Sequence, residues 1–558
     1  MTKKYTIGID FGSLSGRAVL VEVGSGRELA DCVLDYPHAV MSDVLCDTDL
    51  RLPPDFALQH PQDYLDVLDC VIPGVLRESG VDPADIIGLG IDFTACTLVP
   101  VDADGKPLCF YDEYKANPHA YVKLWKHHAA QPYANRLNAL AEERGEPWLA
   151  RYGGKISSEW LFPKLWEIAD RAPEIYAKMD CAVEAGDWLT WLMTGRRTRN
   201  LTCIGYKGIY TAEDGFPSPD FFAALDPCMA DVLDKLDLDG TPILPCGAYV
   251  GDLLPAYAER WGLSANTAVA AACADAHVAA AGVGCCRPGD LFGILGTSSC
   301  YMLLGDEKRD VPGICGVLKD GMMPGTYGYE AGLCCMGDHF AWLANQAPAE
   351  FVAEAETRGI PVIKIFIERA AKLAPGESGL LALNWWNGNR STLVDTDLSG
   401  MFVGMTLNTR PEELMRALIE ATAFGTRLIF ENFASHGVPV KRFIAAGGIA
   451  RKDPFTMQLY ADILGMEIRI AGSTQIPALS SAIYAATAAG SARGGYDSII
   501  EAAEDMKNVS DTVYRPNPET KPVYDRLYAE YVRLYDYFGR GENDVMKRLR
   551  AIRAEAMA

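Results

Sequence analysis

No apolar run in this 558-residue chain approaches the ~18–20 residues that a membrane-spanning helix needs. The first residues lead almost at once into an apolar strand, Ile7-Gly8-Ile9, with no room for a secretion signal. Both absences make the cytoplasm the expected location and leave a membrane out of the expected partners. Positive charge is also scarce. Fifty-one Lys and Arg face 74 Asp and Glu, a formal charge of −23, whereas a nucleic acid partner needs a basic face. Several motifs are missing: no G-x-x-x-x-G-K-[ST] phosphate loop, no G-x-G-x-x-G turn and no G-x-S-x-G elbow. Asp10-Phe11-Gly12 spells a protein-kinase triplet, but no glycine loop, strand lysine or catalytic loop precedes it. The sixteen cysteines are scattered, with adjacent pairs at Cys285-Cys286 and Cys334-Cys335 and no paired C-x-x-C spacing. Reduced, buried thiols and no structural zinc are the expectation.

What the chain does have is a small-residue turn at its start. Ile7-Gly8-Ile9 delivers Asp10 into Gly12-Ser13-Leu14-Ser15-Gly16, and the apolar run Ala18 to Val23 follows. Two strands joined this way can turn N–H groups and hydroxyls toward an anion, with a carboxylate beside them for a cation. An ordinary hairpin would read similarly. A second turn of the same kind, Gly296-Thr297-Ser298, sits between apolar flanks at 290–306. A third, Gly447-Gly448, joins a strand to a helix in KRFIAAGGIARKDPFTMQLYADILGMEIRI. The length calls for two large domains, and the repeated turns suggest a duplicated α/β core with a cleft between halves. A boundary near residue 285 gives domains 1–285 and 286–558.

Around these turns, Glu28 to Leu34 and Ile86 to Phe93 read as strands, and Pro61 to Leu76 has helical apolar spacing. YVKLWKHHAA and EWLFPKLWEIAD also carry helix signals, and Gly195 ends a helix in GDWLTWLMTG. The tail from Pro516 to Met557 is charged, Tyr-rich and helical in spacing, and is expected on the outside. Asp275 falls where a small-residue strand meets an Ala-rich helix in TAVAAACADAHVAAAGVG. Helix N-terminal N–H groups there would favour its ionised form. A plain helix cap is the bland alternative.

Taken in order, these motifs resemble the FGGY family of carbohydrate kinases from Ile7 to about Arg493. The first phosphate motif is similar to Asp10–Arg17, the second to Gly293–Ser299, the adenosine motif to Ala446–Arg451, and the catalytic aspartate to Asp275. Asp92-Phe93-Thr94-Ala95-Cys96-Thr97, Glu184–Trp188 and Asn387-Gly388-Asn389-Arg390 resemble the branch acting on ketopentoses. The resemblance implies a two-domain actin-like (ribonuclease H-like) α/β fold, with ATP and a sugar meeting in the interdomain cleft. It implies ATP-dependent phosphorylation of L-ribulose at its 5-hydroxyl. Asp275 would be the base, and Ala95, Lys207, Asp275 and Glu330 the sugar contacts. Gly12, Ser13, Arg17, Gly296, Thr297, Ser298, Gly447, Gly448 and Arg451 would hold the nucleotide. Asp10 and Asp275 would hold Mg²⁺, directly or through water. The expected partners are a ketopentose and ATP, and a homodimer is allowed. Another ketopentose, such as D-ribulose or a xylulose, is the nearest alternative, and a sugar-free actin- or Hsp70-like ATPase the remote one. Phosphoryl transfer asks mainly for positioning and charge neutralisation, which suits a handful of small-residue turns and carboxylates.

Overall fold

Two seven-stranded sheets share one plan. The structure, a computed structural model, describes residues 3–557. In the first sheet Tyr5–Phe11 pairs antiparallel with Ser15–Glu22 across the glycine-serine turn, and parallel with Ile86–Phe93. In the second, Asp290–Leu295 pairs antiparallel with Ser299–Gly305 and parallel with Arg442–Ala446. Each hairpin therefore projects its turn from the same edge of its sheet, beside the end of a parallel strand. The duplicated core expected from the turns is present.

Between the sheets lie two helices, Asp275–Gly282 and Ile476–Ala489, both rich in alanine. Their small side chains join Val19 and Val21 of the first hairpin to Phe292, Met302, Ile444 and Ala446 of the second sheet in one buried cluster. Close approach explains the glycines of the first sheet: a Cβ on Gly8, Gly88 or Gly90 would run into the backbone of Ile476–Ala489. That helix, although late in the chain, packs on the first sheet, and Gly282 N–H donates to its Ser480 at 2.9 Å.

A helical layer with its own core, built around Trp160, Phe162, Leu165 and Trp166, packs on a small four-stranded sheet through Leu58, Leu98 and Ala182. EWLFPKLWEIAD supplies its helix Leu161–Arg171. YVKLWKHHAA does not form the helix its spacing suggests. Val122–Lys123 is a short strand paired with Leu98 and Leu58–Gln59, and turns follow. Its lysine and His127 are drawn inward to Glu167, and those tertiary bonds override the local spacing.

Two further expectations are corrected. The tail helix Lys521–Gly539 buries Tyr524, Tyr528, Tyr531 and Tyr535 in the core of the second domain. Tyrosines at i, i+4, i+7 and i+11 make one face of that helix apolar enough to bury while each hydroxyl finds a partner. The cysteines are not all thiols either: Cys246 and Cys273 form a disulfide, and the other fourteen are free. Folding brings the loop carrying Cys246 against the Cys273–Ala274 strand, a meeting that residue spacing could not show.

Candidate active site

Strand register assembles the acidic centre. Asp10 lies opposite Asp92 in the parallel pairing, and Cys273 lies opposite Asp92 from the other side, so Asp275 arrives two residues later beside both. Ala274 has the extended backbone of the cap, and Asp275 is the first helical residue, accepting from the Ala276 N–H at 2.6 Å. Asp92 is fully buried, and its Oδ2 accepts from Ser481 of the helix Ile476–Ala489 at 2.6 Å.

Three carboxylates crowded away from water cannot all ionise comfortably. Burial and then the Asp10 charge push Asp275 up to about 7. Burial also raises Asp10, partly offset by Arg17, and raises Asp92 far above the usual carboxylate range. This reverses the expectation that helix N–H groups keep Asp275 ionised. The Ala276 bond does lower its pKa, but burial and like charge outweigh it.

A cavity of about 420 Å³ opens from these carboxylates. Of the residues named from the sequence, it brings together Asp10, Gly12, Arg17, Ala95, Lys207, Asp275, Gly296, Thr297, Ser298 and Glu330. Arg17 does not stand as a free charge: its guanidinium lies 3.5 Å from Asp10 and donates to Ser15 at 3.0 Å. Lys207 and Glu330, 123 residues apart, are bonded to each other at 2.8 and 3.1 Å, and His277 stands 3.3 Å from the same carboxylate. Burial pushes Glu330 up, but Lys207 and His277 more than reverse this and hold it well below the usual range. Burial lowers Lys207, and Glu330 more than restores it, so the ammonium is held above its ordinary value. Ala95 sits on a loop braced from below. The buried Lys164 donates to the carbonyls of Cys96 at 2.7 Å and Leu124 at 2.8 Å.

Four named residues stand outside this cavity wall. Ser13 is next to it, its hydroxyl accepting from the indole of the cavity-lining Trp125 at 2.9 Å. Gly447 (φ +94°) packs against the backbone of Leu295, where a Cβ would clash at 2.5 Å, so it serves the close approach of its turn to the second hairpin. Gly448 faces open space, and Arg451 is exposed on the short helix Gly448–Lys452.

The cavity also contains residues that sequence reasoning left out of the site: Trp125, Glu159, Trp160, His277, Cys300 and Arg390. Arg390 had a signal, since it ends the Asn387-Gly388-Asn389-Arg390 motif. Glu159 and Trp125 had none, because their neighbours in sequence belong to the helical layer.

Comparison with known proteins agrees with this geometry. The N-terminal domain of the FGGY family of carbohydrate kinases matches residues 5–282, and its C-terminal domain matches residues 291–489. A ribulokinase of Geobacillus thermodenitrificans is 53% identical over the whole of this chain and 99% of its own length. A ribulokinase of Bacillus licheniformis is 54% identical over 97% of this chain and 98% of its own. Among solved structures, a gluconate kinase from Lactobacillus acidophilus superposes with a TM-score of 0.80 at 18% identity, covering 97% of this chain and 99% of that one. A xylulose kinase from Rhodospirillum rubrum gives 0.78 at 22%, covering 95% and 98%. These last two likenesses concern the fold. With full-length relatives above half identity, both family domains matched in order and the expected two-domain α/β fold in place, the chain belongs to the FGGY family of carbohydrate kinases and is a sugar kinase that uses ATP.

Proposed function

We propose that this kinase transfers the γ-phosphoryl group of ATP to the 5-hydroxyl of L-ribulose, with Asp275 as the base. The observation that carries this reading is that one cavity is lined by Asp275, the Lys207–Glu330 pair and the Gly296–Ser298 turn. Full-length relatives at 53–54% identity bear the name ribulokinase, which supports a ketopentose as the acceptor. A neutral polyol suits the walls: Lys207 offers donors and Glu330 acceptors, and Trp125 and Trp160 give apolar faces for the carbon chain.

In this reading Asp275 orients the hydroxyl and accepts its proton as the bond to phosphorus forms. A base whose pKa lies near 7 is matched to that task at neutral pH. Gly12 and the Gly296–Ser298 turn approach the phosphates from opposite sheets, and Arg17 holds Asp10 in place.

A magnesium ion fits the acidic centre. Asp92 Oδ1 is buried with no hydrogen-bond partner, and the three carboxylates lack the cations to balance them. Asp10 and Asp275 would hold the ion, directly or through water, as hard oxygen ligands suit it. Bound there, it would neutralise phosphate charge during transfer. A cytoplasmic location suits an enzyme that draws on ATP.

The test is a panel of 2-ketopentoses with Mg·ATP, comparing kcat/KM for the wild type and Asp275→Asn. L-Ribulose is expected among the preferred sugars, and the variant is expected to lose about 10²–10⁴-fold in kcat while remaining folded. Near-normal turnover by the variant would remove Asp275 from the mechanism. Preference for another ketopentose by tenfold or more over L-ribulose would change the substrate, and ATP hydrolysis indifferent to every sugar would end the sugar-kinase reading of the cavity.

A further inference from the structure

The cations lining the cavity are not equally occupied. Arg17 is committed to Asp10 at 3.5 Å and Lys207 to Glu330 at 2.8 Å. Arg390 is the third. Among the described residues no carboxylate lies within 4.0 Å of its guanidinium; its side-chain contacts are thiols, Cys300 at 3.8 Å and Cys334, with Glu159 of the same cavity farther off. A half-buried guanidinium whose side-chain contacts are thiols, which accept weakly, keeps donors free for a stronger acceptor.

Its position is also held firmly. On one side Asn389 donates to Tyr535 at 3.1 Å and accepts from the Leu393 N–H at 3.0 Å. On the other, the Ser391 hydroxyl accepts from the Gly332 N–H at 3.2 Å, two residues beyond Glu330. Cys300, its contact, lies two residues beyond Ser298 on the strand that leaves the second turn, and opposite Ile294 in the hairpin. Arg390 thus stands between the turn assigned to phosphate and the pair assigned to sugar, where a phosphoryl group would pass from one to the other.

We propose that Arg390 is the cavity's binding group for the transferred phosphoryl, meeting its oxygens during transfer and on the sugar 5-phosphate product. The chemistry fits the residue: a planar guanidinium offers paired donors to phosphoryl oxygens, and transfer spreads charge over just those atoms. A neutral ketopentose brings no such charge, so Arg390 separates product from substrate.

This inference rests on the kinase reading above, and calorimetry distinguishes the two. Binding of L-ribulose and of L-ribulose 5-phosphate is measured for the wild type, Arg390→Gln and Arg390→Lys, with thermal unfolding as the folding check. Arg390→Gln is expected to bind the 5-phosphate at least tenfold more weakly while its affinity for the neutral sugar stays within threefold. Arg390→Lys keeps the charge without the planar fork and should fall between. Turnover should fall at least a hundredfold in Arg390→Gln with little change in KM for the sugar. Equal weakening of both ligands in either variant, or unchanged affinity for both, would overturn the assignment. If the wild type prefers another ketose, the same pair of measurements uses that sugar and its phosphate, so a wrong sugar and a wrong arginine show in different arms.

Discussion

Two buried lysine–glutamate pairs, each with a histidine beside it, occupy different worlds in this protein. In the helical layer, Lys123 and Glu167 bond at 2.8 Å with His127 at 2.7 Å, and their side chains are 0% and 3% exposed. At the cavity, Lys207 and Glu330 bond at the same 2.8 Å with His277 at 3.3 Å, but are 12% and 10% exposed. The sealed lysine is pushed below its ordinary value by burial despite its partner, whereas the cavity lysine is held above it. Identical chemistry therefore serves opposite ends. The sealed trio, closed in by His119 and by the Ala57 N–H that donates to His127, ties the Val122–Lys123 strand to the helix Leu161–Arg171, while the cavity trio has a face left for a ligand.

The comparison breaks most visibly on stability. Lys123→Met leaves Glu167 uncompensated inside the helical layer and should cost about 3–5 kcal/mol in urea unfolding. KM for the sugar in whatever fraction stays folded should be unchanged. The double change Lys123→Met with Glu167→Leu should recover most of that loss, because an apolar pair needs no partner. If the single variant is as stable as the wild type, the sealed trio is not structural.

The mirror experiment is Glu330→Gln. This pair is less sealed, so unfolding should shift less than in Lys123→Met, while kcat/KM for the sugar should fall by the worth of a charged hydrogen bond, about 1.5–3 kcal/mol or roughly 10- to 150-fold. A large stability loss with intact kinetics would mean that the two pairs do the same job after all.

The smallest effect concerns pH. Asp275 near 7 must be ionised to act as the base, so kcat/KM should drop about tenfold per pH unit below that point. Stability runs the other way. Because the folded state raises this pKa, ionising Asp275 costs the fold, and the penalty grows as pH rises from about 4 to about 7. Asp275→Asn removes the penalty and should melt a few degrees above the wild type at pH 8, with the difference vanishing near pH 4. Equal melting at both values would show that burial does not strain this carboxylate. The pairs at Lys207 and Lys123 cancel from the melting comparison, because wild type and Asp275→Asn share them.

Much of this is legible in the residue order. The Gly12–Gly16 and Gly296–Ser298 turns were visible because apolar strands flank runs of small hydroxyl residues, and local sterics alone make such runs hairpins. The helix ended by Gly195 was visible because only a left-handed residue closes it, and Gly195 does so with φ +70°. The segment holding Lys123 and His127 was misread as a helix, because its spacing does not reveal that a carboxylate forty residues away claims both. The tail tyrosines read as outside for the same reason: Tyr535 belongs inside because Asn389 and the Thr392 N–H donate to its hydroxyl. Asp92 and Arg390 were noticed in motifs but given no role, since nothing local says that one faces Asp10 or that the other lacks a carboxylate partner.

By itself the chain determined its strands, its turns, its family and the identity of the aspartate at the strand–helix join, because these follow from side-chain size, backbone sterics and the periodicity of apolar residues. Tertiary structure decided the charges. How far Asp275 is raised, which lysine is sealed and which arginine is left waiting depend on burial and on neighbours brought from distant parts of the chain. Electrostatic energy is set by distance and by access to water, and neither is written in residue order.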